Sequence, residues 1–119
     1  MSDQKYGPNT AQVERLIERV GRMTPQEDAL VYARSRADDA VWVRARDAAR
    51  GARRIRPWNA AGAAALKVCR TPAWASVRDA ARALVVRDLV SRSDFEALVA
   101  PVASVLGRCW EEKRDVRAV

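Results

Sequence analysis

The chain of 119 residues has the length of one domain and carries a formal net charge of +7, with 22 basic against 15 acidic residues. It contains no histidine, which excludes the commonest general base, Ser-His and Cys-His nucleophile pairs, and most transition-metal sites. Alanine is abundant and no stretch shows sustained alternation of apolar with polar residues, so the composition indicates an all-α protein and offers little from which a β-sheet could form.

Three regions are predicted along the chain. Residues 1–9 are polar and are expected to form a flexible N-terminal arm. A single helical domain should follow over residues 10–109, and residues 110–119 should form a charged C-terminal tail. The domain is expected to be an irregular bundle of four to six helices.

Two predicted helix starts lie near the N-terminus. Thr10 can cap a first helix, whose apolar stripe ends before Gly21. The sequence Thr24-Pro25-Gln26-Glu27 is a capping box, in which threonine caps, proline is tolerated in the first turn and glutamate can return a bond to the cap's own amide. We therefore expect helices to begin near residues 10 and 25.

Residues 25–56 keep their apolar positions in phase with an α-helix throughout. One helix of about thirty residues would satisfy this pattern, and so would two helices broken near Asp38 and Asp39, either of which could cap the second. Because no proline or glycine interrupts residues 26–50, we favour the single long helix and keep the alternative open. Pro57 should end it.

Three further helices are predicted beyond that segment. A short alanine-rich helix should cover about residues 58–70. Thr71-Pro72 repeats the Thr-Pro start and predicts a helix that continues to about Val90. Ser91 with Asp94 in the glutamate position resembles another capping box, and Pro101 should kink the last helix.

The most specific feature is an internal repeat. Trp42 is followed by Arg46-Asp47-Ala48-Ala49-Arg50, and Trp74 is followed at the same offsets by Arg78-Asp79-Ala80-Ala81-Arg82. Repeats with a period of about 32 residues are typical of stacked helical hairpins, although a duplication kept for packing alone would look the same. We expect Trp42 and Trp74 to occupy equivalent, largely buried positions.

These Trp-x-x-x-Arg-Asp-Ala-Ala-Arg units are followed by Val85-Val86-Arg87-Asp88-Leu89-Val90 and Phe95-Glu96-Ala97-Leu98. Together they resemble short Ala/Trp-rich helical-repeat proteins of unknown function from actinobacteria and their phages, over roughly residues 24–107. The resemblance implies a helical-repeat fold and a source. It implies no activity, cofactor or site residue.

A basic face is predicted on residues 44–56, which carry six arginines against one aspartate. Most of these arginines lie opposite the apolar stripe, and arginine suits bidentate contact with phosphate or carboxylate. The face therefore indicates an acidic partner, although a merely solvated surface is the alternative. The candidate partner-binding or nucleic-acid-binding residues are Trp42, Arg46, Arg50, Arg53 and Arg54.

Asp88 is an unusual residue on the predicted helix over residues 71–90. It falls on the apolar stripe, where an unpaired charge would be costly. We expect a partly buried ion pair with an arginine such as Arg50, and contact with a ligand or partner is the alternative.

The sequence offers no catalytic group. Glycine-rich phosphate loops are absent, and the adjacent carboxylates Asp38 and Asp39 would point apart on a helix. We therefore expect no enzyme activity, no cofactor and no metal. The expected function is a non-catalytic accessory or regulatory factor that binds a protein partner, which could be acidic. Nucleic-acid binding through the arginine face is the alternative.

Location and self-association are predicted from the remaining features. No apolar run approaches the roughly 18 residues of a membrane span, and the polar start MSDQKYGPNT lacks the apolar core of a signal peptide. Cys69 and Cys109 are therefore expected to be free thiols in a cytoplasmic protein. The alanine-rich faces of residues 40–65 favour a two-fold homodimer.

Overall fold

Helices account for most of the residues that the structure describes. The computed structural model describes residues 4–111, which contain six α-helices, a short 3-10 turn (Gly7–Asn9) and no strand. The helices are α1 (Thr10–Gly21), α2 (Pro25–Ala33), α3 (Asp39–Gly51), α4 (Ile55–Val68), α5 (Trp74–Val85) and α6 (Arg92–Leu106). The predicted all-α class and helix number are confirmed.

The centre of the bundle is α5. Eight of its twelve residues are buried, and it packs against α1, α3, α4 and α6. In a stack of helical hairpins each repeat contacts only its neighbours. Here α1 packs against α5, and α2 packs against α6. The helices therefore form an irregular bundle rather than a stack.

Residues 25–56 form two helices, so the prediction of one long helix is wrong. The linker of residues 34–38 is not helical, and Asp38 occupies the N-cap position of α3. Within the linker, Arg36 donates to Asp79 of α5 from Nε at 3.0 Å and from a terminal nitrogen at 2.7 Å. This ion pair holds the linker against α5, and apolar periodicity cannot reveal such a distant contact.

The two predicted capping boxes form to different extents. Thr24 accepts a hydrogen bond from the Glu27 amide at 3.1 Å, and the Glu27 carboxylate accepts one from the Thr24 amide at 3.0 Å. Ser91 accepts from the Asp94 amide at 3.0 Å. The Asp94 carboxylate binds Arg44 instead of returning a bond. The first box is confirmed, and the second is half formed.

The start of α5 lies two residues beyond Pro72, where the predicted Thr-Pro start would place it. The Thr71 hydroxyl donates to the carboxylate of Asp28 on α2, and the Ala73 amide donates to the same oxygen at 3.3 Å. Because Thr71 is bound to α2, its side chain does not cap a helix. Residues 71–73 form a turn, and α5 begins at Trp74.

The end of α5 lies at Val85 instead of near Val90. The carbonyl of Leu84 accepts a hydrogen bond from the Asn9 amide group at 2.9 Å, and that of Val85 accepts one from Arg54 at 3.1 Å. Side chains from other elements thus satisfy two of the last carbonyls of the helix. The chain then turns over residues 86–89.

Pro57 lies inside the first turn of α4, although the sequence predicted it to end the preceding helix. The chain reverses between α3 and α4, where Arg53 adopts a left-handed conformation with φ of 59°. Proline is tolerated in the first turn because its missing N–H has no intrahelical partner there.

Both predicted terminal segments differ from expectation in their described parts. Tyr6 of the expected arm is 5% exposed, and Trp110 of the expected tail is fully buried. The Trp110 ring stands edge-on to Phe95 with 6.4 Å between centroids. Both aromatic rings fill the core, which a mobile arm or tail could not do. Residues 1–3 and 112–119 lie outside the described residues.

The alanine-rich faces of α3 and α4 are covered within the chain. Ala45, Ala49, Ala61 and Ala65 are all fully buried. Their burial removes the reason for the predicted homodimer, which was that a second copy would be needed to cover them.

Candidate functional site

The two repeat units place tryptophan and arginine in the same local arrangement. Arg46 lies over Trp42 on α3, and Arg78 lies over Trp74 on α5. The guanidinium carbon is 5.0 Å from the ring centroid in both units. Residues four apart share a helix face, and a guanidinium over an indole is attracted by the ring quadrupole. The repeat therefore encodes a stacked pair.

Trp58 of α4 joins these two pairs into one row. The Trp58 ring stands edge-on to Trp42, with 6.2 Å between the ring centroids. The guanidinium carbon of Arg82 on α5 lies 5.4 Å from the centroid of the Trp58 ring. Arg82 follows Arg78 by one helical turn. We call this row the Trp–Arg ladder, and it consists of Arg46, Trp42, Trp58, Arg82, Arg78 and Trp74.

Equivalent positions of the repeat differ in burial. Trp42 is half-buried, but Trp74 is 41% exposed, so the prediction that both are largely buried is wrong for Trp74. Asp79 is buried on the central helix, and its counterpart Asp47 on α3 is exposed. The two units share local stacking, and their positions in the bundle set their burial.

Trp74 forms one wall of an open groove between the end of α4 and the start of α5. This α4–α5 groove has a volume of about 400 Å³ and is lined by Ala63, Leu66, Lys67, Cys69, Arg70 and Trp74. Leu66 is 37% exposed, and the neighbouring Val68 is 40% exposed. The groove thus combines apolar surface with two basic side chains.

The ladder carries more positive charge than the surrounding carboxylates neutralise. Within residues 4–111, Arg46 and Arg82 form neither a hydrogen bond nor an ion pair, and their Nε atoms are buried without a partner. Arg78 contacts one oxygen of Asp79 at 3.3 Å, while Arg36 binds the other. Burial and the nearby Arg78 lower the pKa of Arg82 below its ordinary value.

The predicted basic face of residues 44–56 is not a continuous surface. The turn after α3 divides it, and Arg44 binds both carboxylate oxygens of Asp94. Arg50 and Arg53 remain exposed. Of the candidate residues Trp42, Arg46, Arg50, Arg53 and Arg54, the structure joins only Trp42 and Arg46 in one contact.

Asp88 pairs with Arg54 and not with the predicted Arg50. The two terminal nitrogens of Arg54 lie 2.7 and 2.9 Å from the carboxylate oxygens of Asp88. The side-chain amide of Asn9 donates to the same carboxylate at 3.0 Å. Hydrogen bonds from Arg54, supported by Asn9, lower the pKa of Asp88 to about 2. The Asp88 side chain is 48% exposed, because the turn after α5 brings it to the surface.

Neither a metal centre nor a membrane-spanning helix is found in residues 4–111. No group of three or more Cys, Asp or Glu residues there could hold a metal ion. None of the helices is long and apolar enough to cross a bilayer. Comparisons with protein-family models, with curated proteins and with solved structures gave no significant match.

Sequence reasoning missed Arg78, Arg82 and the groove beside Trp74. The Trp-x-x-x-Arg spacing was a usable signal, because it places the guanidinium over the ring in either repeat unit. Nothing local indicates that Trp58 bridges the two units, since this contact depends on how α4 packs between α3 and α5.

Proposed function

We propose that the protein is a non-catalytic factor that binds a protein partner through the α4–α5 groove. Trp74 is the observation that supports this proposal most strongly. A large aromatic side chain, 41% exposed and stacked against Arg78, lies beside the apolar surface of Leu66. Tryptophan is enriched among the residues that dominate protein–protein binding energies. Its burial by a partner would also remove apolar area from water.

The nucleic-acid alternative, through the face of residues 44–56, has weaker support. Asp94 neutralises Arg44, and Asp88 neutralises Arg54. Affinity for duplex DNA depends on the number of phosphates that basic side chains neutralise. Within the described residues, Arg50, Arg53 and Arg56 are exposed without an ion pair, but the turn after α3 divides them, so they do not present a continuous row of phosphate contacts.

We also propose a cytoplasmic location. Cys69 and Cys109 are both free thiols, and proteins of oxidising compartments commonly join such residues as disulfides. Burial raises the pKa of the Cys109 thiol, which favours its unreactive protonated form.

Site-specific photocrosslinking tests the proposed function. A photoreactive benzoylphenylalanine replaces Leu66 in the groove, and in a matched control it replaces Val43 on α3, since the two side chains are 37% and 38% exposed. In cells of the source organism, the groove position should give a defined, nuclease-resistant protein adduct that the added Trp74→Ala substitution removes. Equal adducts from both positions, a nuclease-sensitive adduct or no adduct at residue 66 would contradict the proposal.

A further inference from the structure

The charge around the α4–α5 groove points to the chemistry of its partner. We propose that the groove binds an acidic peptide segment, with one apolar side chain packed on Trp74 and carboxylates bound by Arg78 and Arg82. This inference rests on the proposed function and adds the class of partner and the residues that recognise it.

Positive charge on this side of the molecule is largely uncompensated. Lys67 and Arg70 line the groove and form no ion pair with the described part of the chain. Arg78 and Arg82 lie beside the groove, over Trp74 and against Gly62 respectively. Within residues 4–111, Arg82 has no ion pair, and the only carboxylate that Arg78 contacts is shared with Arg36. Six arginines elsewhere are each paired with a carboxylate, namely Arg19, Arg22, Arg44, Arg54, Arg87 and Arg108. Unpaired arginines also occur on α3, but the turn after that helix separates Arg50 from Arg53, and among the described residues no groove with an exposed tryptophan lies beside them.

Stacking holds the two proposed recognition arginines in place before any partner binds. The guanidinium groups of Arg78 and Arg82 lie over Trp74 and Trp58, and their Nε atoms are buried. Arg82 forms no hydrogen bond within residues 4–111. Of its three guanidinium nitrogens only Nε is buried, so the two terminal nitrogens are accessible to solvent and to a partner. A guanidinium group that is already held in place loses less conformational entropy when it binds a carboxylate.

The ladder is better suited to a peptide than to a single-stranded nucleic acid. Nucleic-acid grooves offer several open aromatic faces on which successive bases stack. Here arginines lie over the rings of Trp42, Trp58 and Trp74, and only Trp74 of the three is strongly exposed, since Trp58 is 3% exposed and Trp42 is half-buried. The groove instead pairs one accessible indole with aliphatic surface from Leu66, which suits a single apolar side chain.

Selection from a displayed library of random peptides on the purified protein tests this inference. We expect enriched peptides to carry several Asp or Glu residues beside one Leu, Phe or Trp. Affinity of the consensus peptide should fall about tenfold in Arg82→Gln and further in the double variant Arg78→Gln/Arg82→Gln. Arg50→Gln removes an exposed arginine from α3 and should leave the affinity unchanged.

The possible results separate the two proposals. Enriched peptides that need Trp74 but show no acidic preference would overturn the inference and leave the proposed function standing. Peptides that bind Trp74→Ala equally well, or no enriched peptide, would overturn both. Displacement of the peptide by an equal concentration of oligo-deoxythymidine would overturn the acidic-peptide assignment. If circular dichroism shows that the double arginine variant is unfolded, the single variants Arg78→Gln and Arg82→Gln provide the affinity test, and unchanged affinity in both would overturn the inference.

Discussion

Gly62 illustrates how a single residue makes room for the ladder. A Cβ atom at this position would lie 2.7 Å from Nε of Arg82 and 3.2 Å from its Cζ. Glycine in a helix interior costs roughly 1 kcal/mol relative to alanine. The stack of Arg82 on Trp58 accounts for the presence of glycine here, in a helix otherwise rich in alanine.

We predict that the effect of Gly62→Ala depends on Arg82. In the natural background, a gain in helix propensity is opposed by displacement of the guanidinium from Trp58, so the change in unfolding free energy should be near zero or unfavourable. In an Arg82→Ala background the new methyl group fits, and the gain should reach about 0.5–1 kcal/mol. A double-mutant cycle in urea measures this coupling. Equal stabilisation in both backgrounds would show that Arg82 does not occupy this space.

Asp88 predicts a specific dependence of stability on pH. Arg54 holds the pKa of the Asp88 carboxyl at about 2, below the ordinary 3.8. The contribution of this ion pair to the free energy of unfolding should therefore be complete above about pH 4 and disappear as the pH falls towards 2. Because the side chain is 48% exposed, screening by solvent limits that contribution to about 1 kcal/mol or less.

The variant Asp88→Asn tests that dependence. It should be less stable than the natural protein near about pH 6, and the difference should shrink towards about pH 2. Asp47→Asn is the control, because Asp47 is exposed and forms no ion pair within the described chain. A difference that stays constant between those two pH values would contradict the assigned pair with Arg54.

The two equivalent aspartates of the repeat differ in burial and in the contacts that they make. Asp79 anchors the linker of residues 34–38 through Arg36, whereas Asp47 is exposed. We predict that Asp79→Ala costs about 1.5–3 kcal/mol of unfolding free energy, since it removes charged hydrogen bonds at a buried site. The matched Asp47→Ala should change it by less than about 0.5 kcal/mol. Denaturant unfolding checks both values, and equal effects would contradict the anchoring role.

At the level of elements, the sequence predicted helix boundaries correctly where residues close in sequence determine them. The capping box joins Thr24 and Glu27, which are three positions apart, and it forms as expected. The linker between α2 and α3 depends on Arg36 and Asp79, which lie 43 residues apart in sequence. The start of α5 likewise depends on Asp28, 45 residues before the amide of Ala73. No window along the chain contains both partners.

The candidate site shows the same division. The spacing of Trp74 and Arg78 predicts their stacking, because it is a property of one helix face. The exposure of Trp74 depends instead on which part of α4 lies beside the first turn of α5. The pairing of Asp88 with Arg54 in place of Arg50 also follows from a turn between helices that the apolar pattern does not show.

At the scale of the whole molecule, the C-terminal end of the described chain closes the core. Trp110 is fully buried against Phe95. The guanidinium of Arg15 on α1 donates to the Trp110 carbonyl at 2.6 Å. Arg87 bridges Gln12 of α1 and Glu111. The first helix and the final described residues are thereby joined, which makes Trp110 part of the core rather than of a tail.

This division of roles among the tryptophans gives the last prediction. Trp110→Ala should cost about 3–5 kcal/mol of unfolding free energy, because it leaves a large cavity in the core. Trp110→Phe should cost less, since it keeps an aromatic ring and removes an indole N–H that is buried without a partner. Trp74→Ala should cost only about 1 kcal/mol of unfolding free energy, because it removes an exposed cation–π contact and leaves little cavity. The same substitution should nevertheless abolish the crosslinked adduct at the groove. Denaturant unfolding and crosslinking of the three variants measure stability and binding separately. If Trp74→Ala proved as destabilising as Trp110→Ala, Trp74 would be a packing residue and the groove would lose its proposed anchor.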